Sequence, residues 1–238
     1  MKPENKPEMP SRLDTLRALA GVTWIRMRRG KALWIGGMIS VLPILHAVLR
    51  SSLVRGGDRD VPASELAGSI TPVLILLPAL FAAGTFADEL ESRTATYLWS
   101  RPIARAAVLA GKLCTIVPLI AGFLIASWAA ASAIGGHAAT PLACLALALG
   151  GLTVSLAASA IAILSPRHAM ALTISYLLTD TFVGALPFSI AQLSITFQVR
   201  TLAGLGDAPA VGAPIVALAV LGAVWGAIAV WRIGRREL

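Results

Sequence analysis

The sequence predicts an all-α polytopic membrane protein with six transmembrane helices. Composition and segment length carry that expectation. Hydrophobic residues make up 57% of the chain and charged residues 13%, with a mean hydropathy of +0.79, far from the balance of a soluble globular domain. The apolar residues fall into six blocks almost free of ionisable groups, each near the ~20 residues needed to cross ~30 Å of hydrocarbon as a helix. The ten-residue alternation of a transmembrane barrel is absent, so helices are left to satisfy the backbone within lipid.

Residues 1–32 read as a hydrophilic cytoplasmic N-terminus and 33–238 as the transmembrane domain. Some 30 hydrophilic residues precede the first apolar block and no small-residue cleavage pattern follows it, which argues against a cleavable signal peptide. Within the lead-in, SRLDTLRALAGVTWIRMRRGK spaces Leu13, Leu16, Leu19 or Ala20, Trp24 and Met27 on one face. With Arg12, Arg26 and Arg29 largely elsewhere, this is the pattern of an amphipathic helix lying in the membrane interface.

The spans are expected near Leu33–Leu49, Ala67–Ala87, Leu113–Ile134, Pro141–Leu164, His168–Phe188 and Val211–Trp231. Pro43, Pro72, Pro78, Pro118 and Pro187 are placed to kink them. Gly222 and Gly226, with Ala219, Ala223 and Ala227, form a small-residue face on the sixth span, as do Gly151, Ser155 and Ser159 on the fourth. Such faces suit close helix packing, more commonly within a subunit than between subunits. Between the fifth and sixth spans, Ile190, Leu193 and Phe197 share one helical face, which predicts a helix pair resting at the outer interface.

Orientation follows from Lys and Arg. The N-terminus, the second and fourth connections and the C-terminal tail hold sixteen of them, and the opposite side holds four, Arg50, Arg55, Arg59 and Arg200. The basic side is the cytoplasmic one, so both termini are expected there. Anionic lipid headgroups account for the net charge of +8, and no nucleic-acid partner is required.

The second connection, DELESRTATYLWSRPIARAAVLAGK from Asp88 to Lys112, carries seven charged residues between two spans. Leu90, Thr94, Tyr97 and Leu98 fall at i, i+4, i+7 and i+8, giving a short helix a semi-apolar stripe. Pro102 breaks that run and suits the first turn of a second helix. From physics alone, a docking element and an ordinary solvated hairpin fit this loop equally.

These residues resemble the first cytoplasmic loop of ABC-2 type transporter permeases. Glu89 and Glu91 match the acidic pair, Thr94 the Thr, Leu98 the Leu, Pro102 and Ile103 the Pro-aliphatic pair, and Arg105 and Lys112 the basic positions; Arg93 stands where that pattern has Gly. The resemblance implies that Glu89 to Arg101 is a cytoplasmic coupling helix seated in a separate ATPase subunit. It assigns ATPase coupling to Glu89, Glu91, Thr94, Tyr97, Leu98, Arg101, Pro102 and Arg105. It further implies two ATPase subunits carrying ATP and Mg, a second permease copy or homologue, export of a substrate, and residence in a bacterial cytoplasmic membrane. No phosphate-cradling loop occurs here: Gly111-Lys112 has Ala106 where the first Gly belongs and Leu113 where Ser or Thr belongs. The chain is therefore expected to be a transport subunit without cofactors of its own.

Asp180, between Thr179 and Thr181 in the fifth span, is the main intramembrane candidate. Two uses stay open, a polar pathway or a structural carboxyl bonded to Thr hydroxyls and a neighbouring helix. His46, His137 and His168 are too scattered for a metal site. Cys114 and Cys144 read as small hydrophobes rather than a disulfide framework. Gly-x-Ser-x-Gly and H-E-x-x-H are absent. The alternative to transport is a membrane-embedded enzyme or assembly factor built on Asp180 and the loop.

Overall fold

The computed structural model describes residues 12–53, 61–91, 105–187, 189–205 and 211–235, all helix, turn or short connection, with no strand among them. Its α-helices are α1 (Arg12–Arg29), α2 (Ala32–Ser40), α3 (Leu42–Leu53), α4 (Ala63–Pro78), α5 (Gly84–Glu91), α6 (Arg105–Ile134), α7 (Pro141–Leu164), α8 (Ala169–Gly184), α9 (Ile195–Leu202) and α10 (Gly212–Arg235). A π-helical turn, Ala79–Ala83, joins α4 to α5, and 3₁₀ turns at Pro166–His168 and Ser189–Leu193 bracket α8.

Five stretches are long and apolar enough to cross a membrane: Ala32–Leu53, Ala63–Leu90, Ala106–Ile134, Pro141–Leu164 and Gly212–Arg235. The expected fifth span is shorter than its sequence block. α8 ends at Gly184, so its 16 residues rise only about 24 Å. The first span is two helices, α2 and α3, meeting at Val41 just before Pro43, whose ring disfavours helical geometry in the preceding residue and removes an N–H. The third begins at Arg105 rather than Leu113, so Lys112 belongs to the span and not to the loop.

The fourth span is the axis of the bundle: α7 packs against α4, α6, α8, α9 and α10. Most of its residues are buried, whereas most residues of the α2–α3 and α10 spans are not. Its ends are well defined. Thr140 accepts a hydrogen bond from the Ala143 amide at 3.2 Å with Pro141 at the first helical position, and Ser165-Pro166 ends the helix.

Small residues set the spacing around this axis. A Cβ on Gly222 would lie 3.5 Å from both Leu156 and Thr153, and Thr153 Oγ1 donates to the Leu218 carbonyl at 3.2 Å. Gly222 and Gly226 of α10 thus pack within the chain, as does Gly151, which faces Leu124 and Ile120 of α6, whereas Ala219, Ala223 and Ala227 of the same small-residue face are exposed.

The π turn follows Pro78, which has no N–H to continue the α ladder. It places Phe81 in the core, 1% exposed, stacked on Phe123 with centroids 6.0 Å apart. A Cβ on Gly36 would lie 2.6 Å from the Phe81 ring. Glycine at position 36 is what lets the first span approach the second.

The expected N-terminal helix is α1, and its neighbour is α6. Among its described side chains Thr23 and Met27 are buried, and the Ala20 carbonyl accepts from Thr115 Oγ1 at 3.1 Å. Trp24, expected on the same apolar stripe as Met27, is exposed beside Val22 and Ile25. The helix has two apolar faces, one spent on α6 and one left open.

Candidate functional site

Glu89 is where the second span, the third span and the N-terminal helix meet. It lies on the last turns of α5, in direct continuation of the span, rather than on a detached loop helix beginning at Glu89. Its carboxylate is 14% exposed and pairs with the ammonium of Lys112 on α6. The Arg26 guanidinium of α1 reaches the same carboxylate at 3.1 Å and Asp88 at 3.6 Å.

Lys112 is 5% exposed and its ammonium stands 4.7 Å from the centre of the Phe86 ring. A buried ammonium with one carboxylate and one aromatic face is compensated only while both stay in place. Arg26, with its side chain 47% exposed, adds an outer contact that solvent screens. The two ends of the polar connection are thereby fastened to each other and to α1.

The residues assigned to coupling divide on this geometry. Glu89 is turned inward as an anchor. Glu91 closes α5 and Arg105 opens α6. Thr94, Tyr97, Leu98, Arg101 and Pro102 lie outside the described residues. Lys112, matched to a basic position of the family pattern but not given a coupling role, supplies the central contact. Its signal in the sequence was a lone Lys inside an otherwise apolar stretch, which calls for a carboxylate partner.

The opposite ends of the same spans are tied by other groups. Arg50 of α3 makes a two-pronged pair with Glu65 of α4, Nε at 2.8 Å and Nη2 at 2.7 Å. The Val61 carbonyl is held by His137 Nε2 at 2.8 Å and its amide by the Gly135 carbonyl at 3.2 Å. Gly136 makes that turn with φ of 81°, a conformation that favours glycine.

Asp180 is 6% exposed and its carboxylate caps α9. Oδ1 accepts from the Ile195 amide at 2.9 Å; Oδ2 accepts from the Thr196 amide at 2.9 Å, from Thr196 Oγ1 at 2.9 Å and from Ser194 Oγ at 3.0 Å. Ser194 Oγ also accepts from the Phe197 amide at 3.1 Å. The first three amides of α9 are thus satisfied and a negative charge sits at the positive end of the helix. The flanking hydroxyls expected to bond Asp180 do not: Thr179 and Thr181 donate to the Ser175 and Leu177 carbonyls, each at 2.9 Å. Local helix geometry directs them back one turn, and the Thr that serves Asp180 is Thr196.

The segment before the sixth span is a helix pair, the 3₁₀ turn Ser189–Leu193 and α9. Ile190 and Leu193 are exposed and Phe197 is half-buried. His46, His137 and His168 form no metal-ligand group, and no cluster of three His, Cys, Asp or Glu occurs among the described residues.

An all-helical bundle with five membrane-length helices, charged anchors near the span ends and apolar side chains exposed on its flanks defines an integral membrane protein. Residues 24–181 match the model of the ABC-2 family transporter proteins, two thirds of the chain, and the protein belongs to that family. No curated protein matches the chain. The matched region holds the Glu89 anchor, the whole second connection and Asp180, and stops before α9 and α10.

Proposed function

We propose that this chain is the permease subunit of an ABC transporter, moving a substrate out of the cytoplasm with force taken from a separate ATPase subunit through the second connection. The observation that carries the reading is the ion cluster at the root of that connection. A loop hinged freely on two spans would yield to a push without passing it on. One whose roots are locked by Glu89, Lys112 and Arg26 moves both spans and α1 together. Family membership supplies the partner: ABC-2 permeases generally work with an ABC ATPase.

In this reading the ATPase meets Glu91, Thr94, Tyr97, Leu98, Arg101, Pro102 and Arg105, while Glu89 transmits from within. Two ATPase copies carry ATP and Mg, and a second permease copy or homologue completes the pathway. α8 and its preceding 3₁₀ turn form the fifth of six membrane crossings, giving a transmembrane domain over 33–238 with residues 1–32 and both termini in the cytoplasm. α1 lies in the inner interface of a bacterial cytoplasmic membrane with Val22, Trp24 and Ile25 toward lipid.

Co-purification tests the reading. An ATPase encoded beside this gene should be captured by the wild-type chain and lost with Leu98→Asp or Glu91→Lys. Lys112→Ala should keep capture yet uncouple substrate-stimulated ATP hydrolysis. Equal capture by the wild type and both loop variants would remove the second connection as the contact.

A further inference from the structure

A cleft of about 700 Å³ lies at the end of the bundle remote from Glu89. It is walled by α9 and the 3₁₀ turn before it, the C-terminal end of α8, the start of α10, and Thr71 in the middle of α4. The volume is that of a small-molecule site, roughly 300–1,000 Å³.

The polarity of its wall is uneven in a way that selects a ligand. Its threonines have already spent their protons on acceptors within the chain: Thr71 on Ala67, Thr181 on Leu177, Thr201 on Phe197 and Thr196 on Asp180. Gln198 Nε2 donates one proton to the Gln192 carbonyl at 2.6 Å. The donors left to face the cleft are the Arg200 guanidinium, the Gln192 amide and the second proton of Gln198. Among the described residues, Arg200 is the only charged one in the lining and has no ion pair. The remainder of the wall is apolar, with Leu193, Phe197, Leu205 and Pro214, and the exposed Ile190 and Leu193 stand beside it.

We propose that this cleft binds an anionic amphiphile, its acidic headgroup on Arg200 and Gln192 and its chain along Phe197, Leu205 and Pro214. A planar guanidinium with spare donors favours a phosphate or carboxylate oxygen pair. An apolar wall continuous with an exposed apolar rim favours a tail over water. Arg200 needs no partner elsewhere, since its position near the end of the bundle keeps the head hydrated until a ligand arrives. The site lies on α9 and its surroundings, and binding requires neither nucleotide nor an ATPase, so it stands independently of the coupling mechanism.

The test is native mass spectrometry of the purified full chain in a neutral maltoside detergent, with dodecyl phosphate as probe. Saturable one-to-one binding is expected, weakened about tenfold or more by Arg200→Gln and largely kept by Arg200→Lys. Ala217→Phe, which fills the apolar half, should weaken it comparably and carries the test if Arg200→Gln fails to fold. Dodecyltrimethylammonium should bind at least tenfold more weakly than dodecyl phosphate. Unchanged binding by Arg200→Gln and Ala217→Phe, or equal binding of the cation, overturns the proposal. Displacement of the probe by an equal concentration of inorganic phosphate overturns the amphiphile and leaves a free-anion site.

Discussion

Lys112 of the third span and Glu89 of the second form an ion pair that is almost wholly out of solvent, 23 residues apart in the chain and astride the second connection. Desolvating both charges is expensive, so the pair is maintained by mutual compensation and adds little net stability of its own.

Removing one member should therefore be far worse than removing both. Glu89→Ala or Lys112→Ala is expected to destabilise the chain by about 3–5 kcal/mol, whereas the double change Glu89→Leu with Lys112→Leu should stay within about 1–2 kcal/mol of wild type. Arg26→Ala, at the more exposed edge, should lose less than about 1 kcal/mol. Thermal unfolding in detergent, compared as a double-mutant cycle, decides the matter. Additive losses would show that the two residues do not act as a pair.

Asp180 should govern the order of α9 without touching the rest of the bundle. Asp180→Ala strands the Ile195 and Thr196 amides and is expected to cost about 2 kcal/mol, with Asp180→Asn retaining part of the cap. Limited trypsin cleavage at Arg200 reads it directly. The Ala variant should be cut faster at Arg200 while cleavage elsewhere keeps its wild-type rate.

Gly184 belongs to the same cap. A Cβ there would come within 2.6 Å of Ser194 Oγ and 3.2 Å of Phe197 Cβ, so Gly184→Ala should displace Ser194 and cost about 1–3 kcal/mol. Gly212→Ala, with open space around its Cβ position, should be neutral or slightly stabilising in the same unfolding assay.

Topology turns on α8. If it crosses the membrane, the number of spans is even and the two ends share a side; if it lies flat, they are opposite. Reporter fusions at residues 1 and 238 should both report the cytoplasm. A C-terminal reporter active only outside would reduce the crossings to five.

Arg50 and Glu65 fasten the other end of the first two spans through two parallel hydrogen bonds. Arg50→Glu should reduce the yield of folded protein, and adding Glu65→Arg should restore part of it. No restoration would show that the pair does not guide the docking of the first span.

The membrane class and the helical fold were legible in the sequence because lipid dictates both. A span must be apolar for about twenty residues and must satisfy its own backbone, and neither condition depends on neighbours. The fourth span was legible to the residue, since Thr140-Pro141 and Ser165-Pro166 punctuate it locally. The family resemblance was carried by the loop from Glu89 to Lys112, where solvated polar residues stand out against an apolar background.

The tertiary structure decided what each polar group is for. Glu89 and Asp180 look alike in sequence, an acid beside or within a span. One is committed to a lysine 23 residues away, the other to backbone amides 15 and 16 residues away. Which partner an acid finds depends on how helices pack, and packing here is set by small residues such as Gly36, Gly151 and Gly222 and by the π turn after Pro78. The spacing of Gly151 and Gly222 marks a small-residue face along the chain, but which helix that face meets is non-local and leaves no local mark. The sequence determined that the protein lives in a membrane as a helical bundle; the fold alone decided that Glu89 faces inward to Lys112 and that Arg200 lines the cleft with no ion pair among the described residues.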